Sequence, residues 1–101
     1  MSLGNSDLEK DLEELPEQVS KALEIWHIAK LDREKVDATL YMKFRVGSTG
    51  KRTQGEIEAM INRDDEHYNA SLKEITAECN YNFLYEKLLS AKKRASLRTA
   101  F

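Results

Sequence analysis

The stretch "RVGSTGKRTQGE", residues 45–56, decides how the rest of the chain is read. Its glycines invite comparison with a phosphate-binding loop, which needs Gly, four residues, then Gly-Lys and a Ser or Thr, all following a strand. Arg45 stands where the first glycine belongs, Gly47 is only three positions before Gly50, and Lys51 is followed by Arg52 instead of a hydroxyl for magnesium. The residues before it carry a helical period. The stretch is therefore read as the turn of a helical hairpin, near residues 46–52. Gly47 suits a helix C-cap and Thr53 an N-cap, with Glu56 completing a capping box.

Upstream of this turn, apolar residues recur in alternating steps of three and four at Leu8, Leu12, Leu15, Val19, Ala22, Trp26, Ala29, Val36 and Leu40. That pattern predicts one long helix with a heptad-like seam interrupted at Arg33. Proline is best tolerated in a first turn, so the firm part of the helix is expected to start near Pro16 and run to about residue 45. Residues 1–15 then form an acidic N-terminal segment, of which Met1-Ser2-Leu3 is open to reading as an expression leader, and 16–101 the hairpin. Additional apolar residues at Leu23, Ile25, Ile28, Leu31 and Tyr41 widen the stripe, and a helix apolar on more than one side needs more than one neighbour. Trp26, Ile28, Leu31 and Leu23 are the candidate oligomer or partner interface.

Downstream, Ile57, Ile61, Tyr68, Leu72, Ile75, Cys79, Phe83 or Leu84, Leu88 and Leu97 predict a second helix from about 54 to 97, with a kink possible around Asn80 and Asn82. Cys79 is read as a core thiol on this periodicity. Folding the two helices about the turn gives a pairing rule in which partners' numbers sum to about 97. Arg33 then faces Asp64, and an interhelical ion pair between them is expected to fix the register. The expected fold is all-α, a long antiparallel helical hairpin of coiled-coil type assembling into a helical-bundle oligomer.

Composition supports this reading. The chain has 101 residues, 34% of them charged, with one Pro, four Gly and one Cys. It is a single small domain whose own core is thin, so self-association is expected. No run approaches the roughly 18 apolar residues of a membrane span, and no signal peptide is evident, which points to a cytoplasmic protein. The net charge of -2 hides a pattern: residues 7–17 are acidic, whereas residues 43–52 and 87–101 are basic apart from uncharged positions. The hairpin brings the acidic 7–14 alongside the basic 87–94.

Two constellations bear on function. Glu24-x-x-His27 and Asp64-x-x-His67 have the spacing of carboxylate-bridged metal sites in helical bundles, although the second has Asp for Glu and further carboxylates would have to come from another subunit. Histidines flanking the seam explain the same residues, and no metal or cofactor is assigned. No nucleophile, histidine and acid stand at recognisable spacing, and an elongated hairpin offers little concave volume for a substrate, so no enzyme activity is expected. The basic clusters are more informative. Lys43, Arg45, Lys51 and Arg52 gather at the turn beside Tyr41 and Phe44, where cations can meet phosphates and rings can stack on unpaired bases. Favourable interaction with the helix dipole accounts for the same cations without a ligand. Lys92, Lys93 and Arg94 form a second candidate cluster.

From about residue 30 to 98 the chain resembles the small helical phage proteins related to the UvsY recombination mediators. The resemblance rests on Leu40-Tyr41 leading into basic residues, the short Gly/Thr turn, Glu56-Ile57, Asp64-Asp65, Tyr68, Ala70, Ala77-Glu78, and a Leu-rich stretch ending in Ala91-Lys92-Lys93-Arg94. It implies a non-enzymatic oligomer in the cytoplasm of a bacterial host. Such a protein binds single-stranded DNA and helps load a RecA-like recombinase onto strands coated with single-strand-binding protein. The chain is shorter than the mediator pattern and has no obvious extra C-terminal helix. A helical module that binds only protein is the alternative.

Overall fold

The computed structural model describes residues 3–47 and 52–99. The chain is all-α, a long antiparallel helical hairpin in which α1 (Leu3–Val46) pairs with the return arm α2 (Gln54–Arg63) and α3 (Asp65–Thr99). Among the described residues no helix is long and apolar enough to cross a membrane. Ser48, Thr49, Gly50 and Lys51, the centre of the expected turn, lie outside the described residues. At its two edges the capping expectation can be compared directly. The Thr53 hydroxyl accepts the Glu56 amide at 3.2 Å, and the Gly47 amide donates to the Lys43 carbonyl at 2.9 Å. A Cβ on Gly47 would lie 3.0 Å from that same carbonyl, close enough to favour glycine there.

Three expectations about the helices need correction. The first helix begins at Leu3, not near residue 16, and runs through Pro16 without interruption. Proline removes one amide from the ladder, but the Pro16 side chain is exposed, where water can serve the carbonyl left without a donor. Burial of Leu15 and Ala22 at 2% and 3% exposure holds the helix on either side of Pro16. The second arm is broken, and the break is at Asp64, not at Asn80 or Asn82, through which α3 runs uninterrupted. Asp64 is extended, with φ -76 and ψ 137, and donates its own amide to the Ile61 carbonyl to close α2. Its carboxylate accepts the Glu66 amide at 2.8 Å and so opens α3.

Because Asp64 is used as a cap, it does not meet Arg33. Arg33 pairs instead with Glu74 across the hairpin and with Asp37 one turn along its own helix, the latter at 3.1 Å. The register is thus shifted along α3. Two features of helix geometry account for much of it: the gap between α1 and α2 is centred nearer residue 50 than residue 48, and helical side chains lean toward their own N-terminus, which adds about one position on each partner.

The chain divides into two compact units. The turn unit comprises His27–Thr76, and the terminal unit Met1–Trp26 with Ala77–Phe101. In the turn unit Leu40, Ile57 and Ile61 are buried, with Val36, Tyr41 and Phe44 packed against them. In the terminal unit Leu8, Leu15, Leu88 and Ala91 form the buried cluster, with Leu12, Val19, Leu84 and Ala95 around it. The α1 seam is therefore close to the one its periodicity predicts. On α3 the seam agrees with the expected stripe at Leu84 and Leu88 and departs from it before them. Ala77, Leu88 and Ala91 are buried, whereas Tyr68, Leu72 and Ile75 are at least half exposed and Cys79 is an exposed thiol, not a core one. Small residues let the helices approach closely, and the partners of Arg33 and Asp37 fix which face of α3 turns inward.

Candidate nucleic-acid interface

The cationic side chains at the turn sit where α1 ends. Lys43 and Arg45 occupy its last turn, where positive charge is favoured by the helix dipole, and both are exposed. Arg52, exposed at the start of the return arm, donates from a guanidinium nitrogen to the Phe44 carbonyl at 3.0 Å, capping an α1 carbonyl near its free end. The Lys43 ammonium lies 5.8 Å from the centre of the Phe44 ring. Lys51, the fourth cation of this cluster, lies outside the described residues. The three described cations bring donors to the surface of the turn unit without an ion pair among them and any acid in the described residues.

The two rings expected to stack on bases are differently placed. Tyr41 and Phe44 are half-buried and pack against Leu40, Ile57 and Ile61. Part of each ring is thus taken up by the core beside the cations.

In the terminal unit Lys92 and Lys93 are exposed, and Arg94 is held by Asp11 at 3.5 Å. The expected approach of the acidic residues 7–14 to the basic residues 87–94 is seen, among the described residues, at this pair. A shallow groove beside it is lined by Asp7, Asp11 and Glu14 with Lys10 and Lys87. Acids dominate it, and it offers no concentration of positive charge for a phosphate.

The four candidate interface residues on α1 are not equivalent. Leu23 and Trp26 are half-buried, and Trp26 packs on Tyr81 with ring centroids 5.4 Å apart, while Tyr81 stacks on Tyr85 at 5.8 Å. Ile28 and Leu31 are exposed to solvent at 51% and 64%.

A half-buried polar network in the turn unit was not legible as a unit in the sequence. Arg33 bridges Glu74 and Asp37, and the other Asp37 oxygen lies 2.6 Å from Nδ1 of His67. With its proton on Nδ1, the His67 ring donates to Asp37, and Nε2 accepts from the Ser71 hydroxyl at 3.4 Å. The hydrogen bond to Glu74 raises the Arg33 pKa above its ordinary value, burial works against it, and Asp37 adds to the rise. The i, i+4 spacing of Arg33 and Asp37, and of His67 and Ser71, was available as a signal. The interhelical pairing was not, because it depends on the register.

This network also bears on the metal-ligand spacing. His67 is engaged with Asp37 and Asp64 with the α3 cap, while Glu24 and His27 are exposed. Among the described residues no three His, Cys, Asp or Glu side chains gather in a way that would hold an ion. Comparison with protein-family models, with curated proteins and with solved structures finds no match to this chain.

Proposed function

We propose that the protein is a non-enzymatic, self-associating accessory protein that binds single-stranded DNA in phage or prophage recombination. Exposed Lys43, Arg45 and Arg52 at the end of α1 carry this reading, since they concentrate positive charge on a molecule whose net charge is -2. Binding by such a protein is local: a few phosphate contacts per subunit, multiplied by the copies in an oligomer, position a strand. The further role, assisting a RecA-like recombinase on strands covered by single-strand-binding protein, follows from the UvsY-like resemblance alone.

The test is fluorescence anisotropy of a labelled single-stranded oligonucleotide at two salt concentrations, with Arg45, Lys51 and Arg52 changed together to Ser. The variant is expected to lose most of its affinity and to reduce the salt slope by about 2, since each lost phosphate contact on a single strand contributes about 0.7. Equal binding by the variant and the parent would overturn the proposal. A second reading, a module that binds only protein, is favoured by the exposure of Ile28 and Leu31. It predicts no strand binding and loss of a protein partner on changing Ile28 and Leu31 to Ser.

A further inference from the structure

A nucleophile, a histidine and an acid, which the sequence does not set at recognisable spacing, are brought together by the fold of the turn unit. Nδ1 of His67 lies 2.6 Å from one carboxylate oxygen of Asp37, and Nε2 lies 3.4 Å from the Ser71 hydroxyl. All three residues belong to the turn unit. The connectivity is that of an activated serine: an acid holds the proton on Nδ1, which leaves the lone pair of Nε2 turned to a hydroxyl. His67 and Ser71 stand one turn apart on α3, so the ring reaches the hydroxyl along a single helix face. On α1 Arg33 takes the other Asp37 oxygen at 3.1 Å and fixes the carboxylate from its far side. The Thr39 hydroxyl, in the same unit, donates to the carbonyl one turn back at 2.9 Å, the common arrangement within a helix, whereas the Ser71 hydroxyl meets an imidazole. Its 3.4 Å separation is in keeping with a resting nucleophile, whose hydrogen bond tightens when an electrophile engages. The side chains of Asp37 and His67 are 24% and 20% exposed and Ser71 is half-buried, which leaves the trio open to a small reagent.

We propose that Ser71 is an activated nucleophile, acylated by small esters with a good leaving group and phosphonylated by fluorophosphonates. In the acyl step Ser71 Oγ forms a bond to the carbonyl carbon and its proton passes to Nε2 of His67. The carbon–oxygen bond to the leaving group then breaks, and the imidazolium returns the proton to the departing oxygen. With a fluorophosphonate the phosphorus–fluorine bond breaks instead, fluoride leaves, and His67 passes the proton to water. Asp37 stabilises the transient imidazolium. Ser71 is the seventh residue of α3, past the opening turn whose amides lack helical partners, so the amides around it are spent in the helix ladder. Without such donors for the developing oxyanion the acylation is slow and stoichiometric, which accords with a non-enzymatic protein. The inference does not rest on strand binding and goes beyond it.

The test is treatment of the full chain with a fluorophosphonate probe, the rate followed by intact mass and the modified residue located by peptide mass spectrometry. A single label on Ser71 is expected, with the more exposed Ser20 and Ser90 unlabelled. His67→Gln should slow labelling by about 100-fold, the lower end of what a general base contributes. Asp37→Asn should slow it as well, because the ring is then free to take the other tautomer. In a Cys79→Ser background, which removes the exposed thiol as a competitor, p-nitrophenyl acetate should give a stoichiometric burst and an acetyl group on Ser71. A Ser71 left unmodified by either reagent, or labelled no faster than Ser20 and Ser90, would overturn the inference on chains with an intact trio, whatever the variants do. Equal labelling rates in the parent and His67→Gln, both with helical circular dichroism, would show that the imidazole only pairs with Asp37, and would overturn it too.

Discussion

The turn unit and the terminal unit close the same kind of helix seam by different means. In the turn unit three aliphatic side chains, Leu40, Ile57 and Ile61, form the buried cluster, and the seam beside them is polar: Arg33, Asp37, His67 and Glu74. In the terminal unit the buried cluster is Leu8, Leu15, Leu88 and Ala91, flanked by more aliphatic side chains, and the interhelical ion pair alongside joins half-buried Asp11 to exposed Arg94. The difference separates two tasks. Apolar area supplies attraction without much direction, so a uniform apolar seam tolerates sliding by a turn. A charge network whose members reach one another in only one register removes that freedom at some cost in desolvation.

The largest effect that would sharpen this comparison is expected at the two most buried leucines. Leu40→Ala and Leu15→Ala, both at positions 2% exposed, should each lose about 3 kcal/mol of stability, the usual range for an emptied leucine site. Their local consequences should differ. α2 has only ten residues, too few to be stable as an isolated helix, so Leu40→Ala should release hydrogen-exchange protection throughout Gln54–Arg63. Leu15→Ala should leave protection in the turn unit intact. Equal loss of protection in both units from either substitution would show a single cooperative core and break the comparison.

A smaller effect is expected where the terminal unit depends on a small side chain. Ala91 is fully buried, and Ala91→Leu would force the helices of that unit apart. Overpacking of this kind typically costs about 1–3 kcal/mol, read as a lower urea midpoint. A midpoint equal to that of the parent would mean that the seam has room to spare and that close approach at Ala91 is not required.

The polar network tests the register argument. Arg33 and Glu74 are half-buried, with side chains 26% and 18% exposed, so solvent screens much of their attraction. Arg33→Leu or Glu74→Leu alone should destabilise by about 1 kcal/mol, each leaving a partly buried charge without its interhelical partner. The double variant should regain most of that loss while its helix register becomes less specific. A double-mutant cycle gives the coupling, and thiol cross-linking between cysteines placed at Val36 and Ala70 reads the register. Two losses that add, with no recovery in the double variant, would contradict this division of labour.

Much of the fold was legible because a period of 3.6 residues is a local property. The α1 stripe from Leu8 to Leu40 and the N-cap at Thr53 both follow from residues close in sequence. The α3 face was misjudged because two stripes compete on it. Tyr68, Leu72, Ile75 and Cys79 are the more hydrophobic set, but Ala77 and Ala91 are buried and Glu74 meets Arg33 of α1, while Leu88, expected in the seam, is buried there. Hydrophobicity alone favours the first set, whereas close approach and the charges of Arg33 and Asp37 favour the second, and neither consideration is local. Asp64 illustrates the same limit. Its charge suggested an interhelical partner, while its position before Asp65 and Glu66 at an interruption of the period is the stronger signal, that of a cap. At the candidate interface the clustering of cations was readable from sequence, but the burial of Tyr41 and Phe44 was not, since it requires Ile57 and Ile61 from the opposite arm.

The smallest expected effect concerns the interhelical ion pair Asp11–Arg94 of the terminal unit. Asp11 and Arg94 stand 3.5 Å apart with side chains 25% and 52% exposed, and pairs of this kind contribute about 0.5 kcal/mol or less. Asp11→Asn should therefore shift thermal unfolding very little, and the shift should vanish in high salt as screening shortens the reach of the charges. The same substitution releases Arg94 beside the exposed Lys92 and Lys93, so it asks whether the second basic cluster takes part in strand binding. If only Lys43, Arg45, Lys51 and Arg52 bind phosphate, the affinity of Asp11→Asn for a single-stranded oligonucleotide should match the parent's, apart from the small gain that removing one negative charge gives at low salt. A larger gain, with a steeper salt slope, would instead place the terminal unit in the binding surface and assign the acids of α1 to competition with the strand for Arg94.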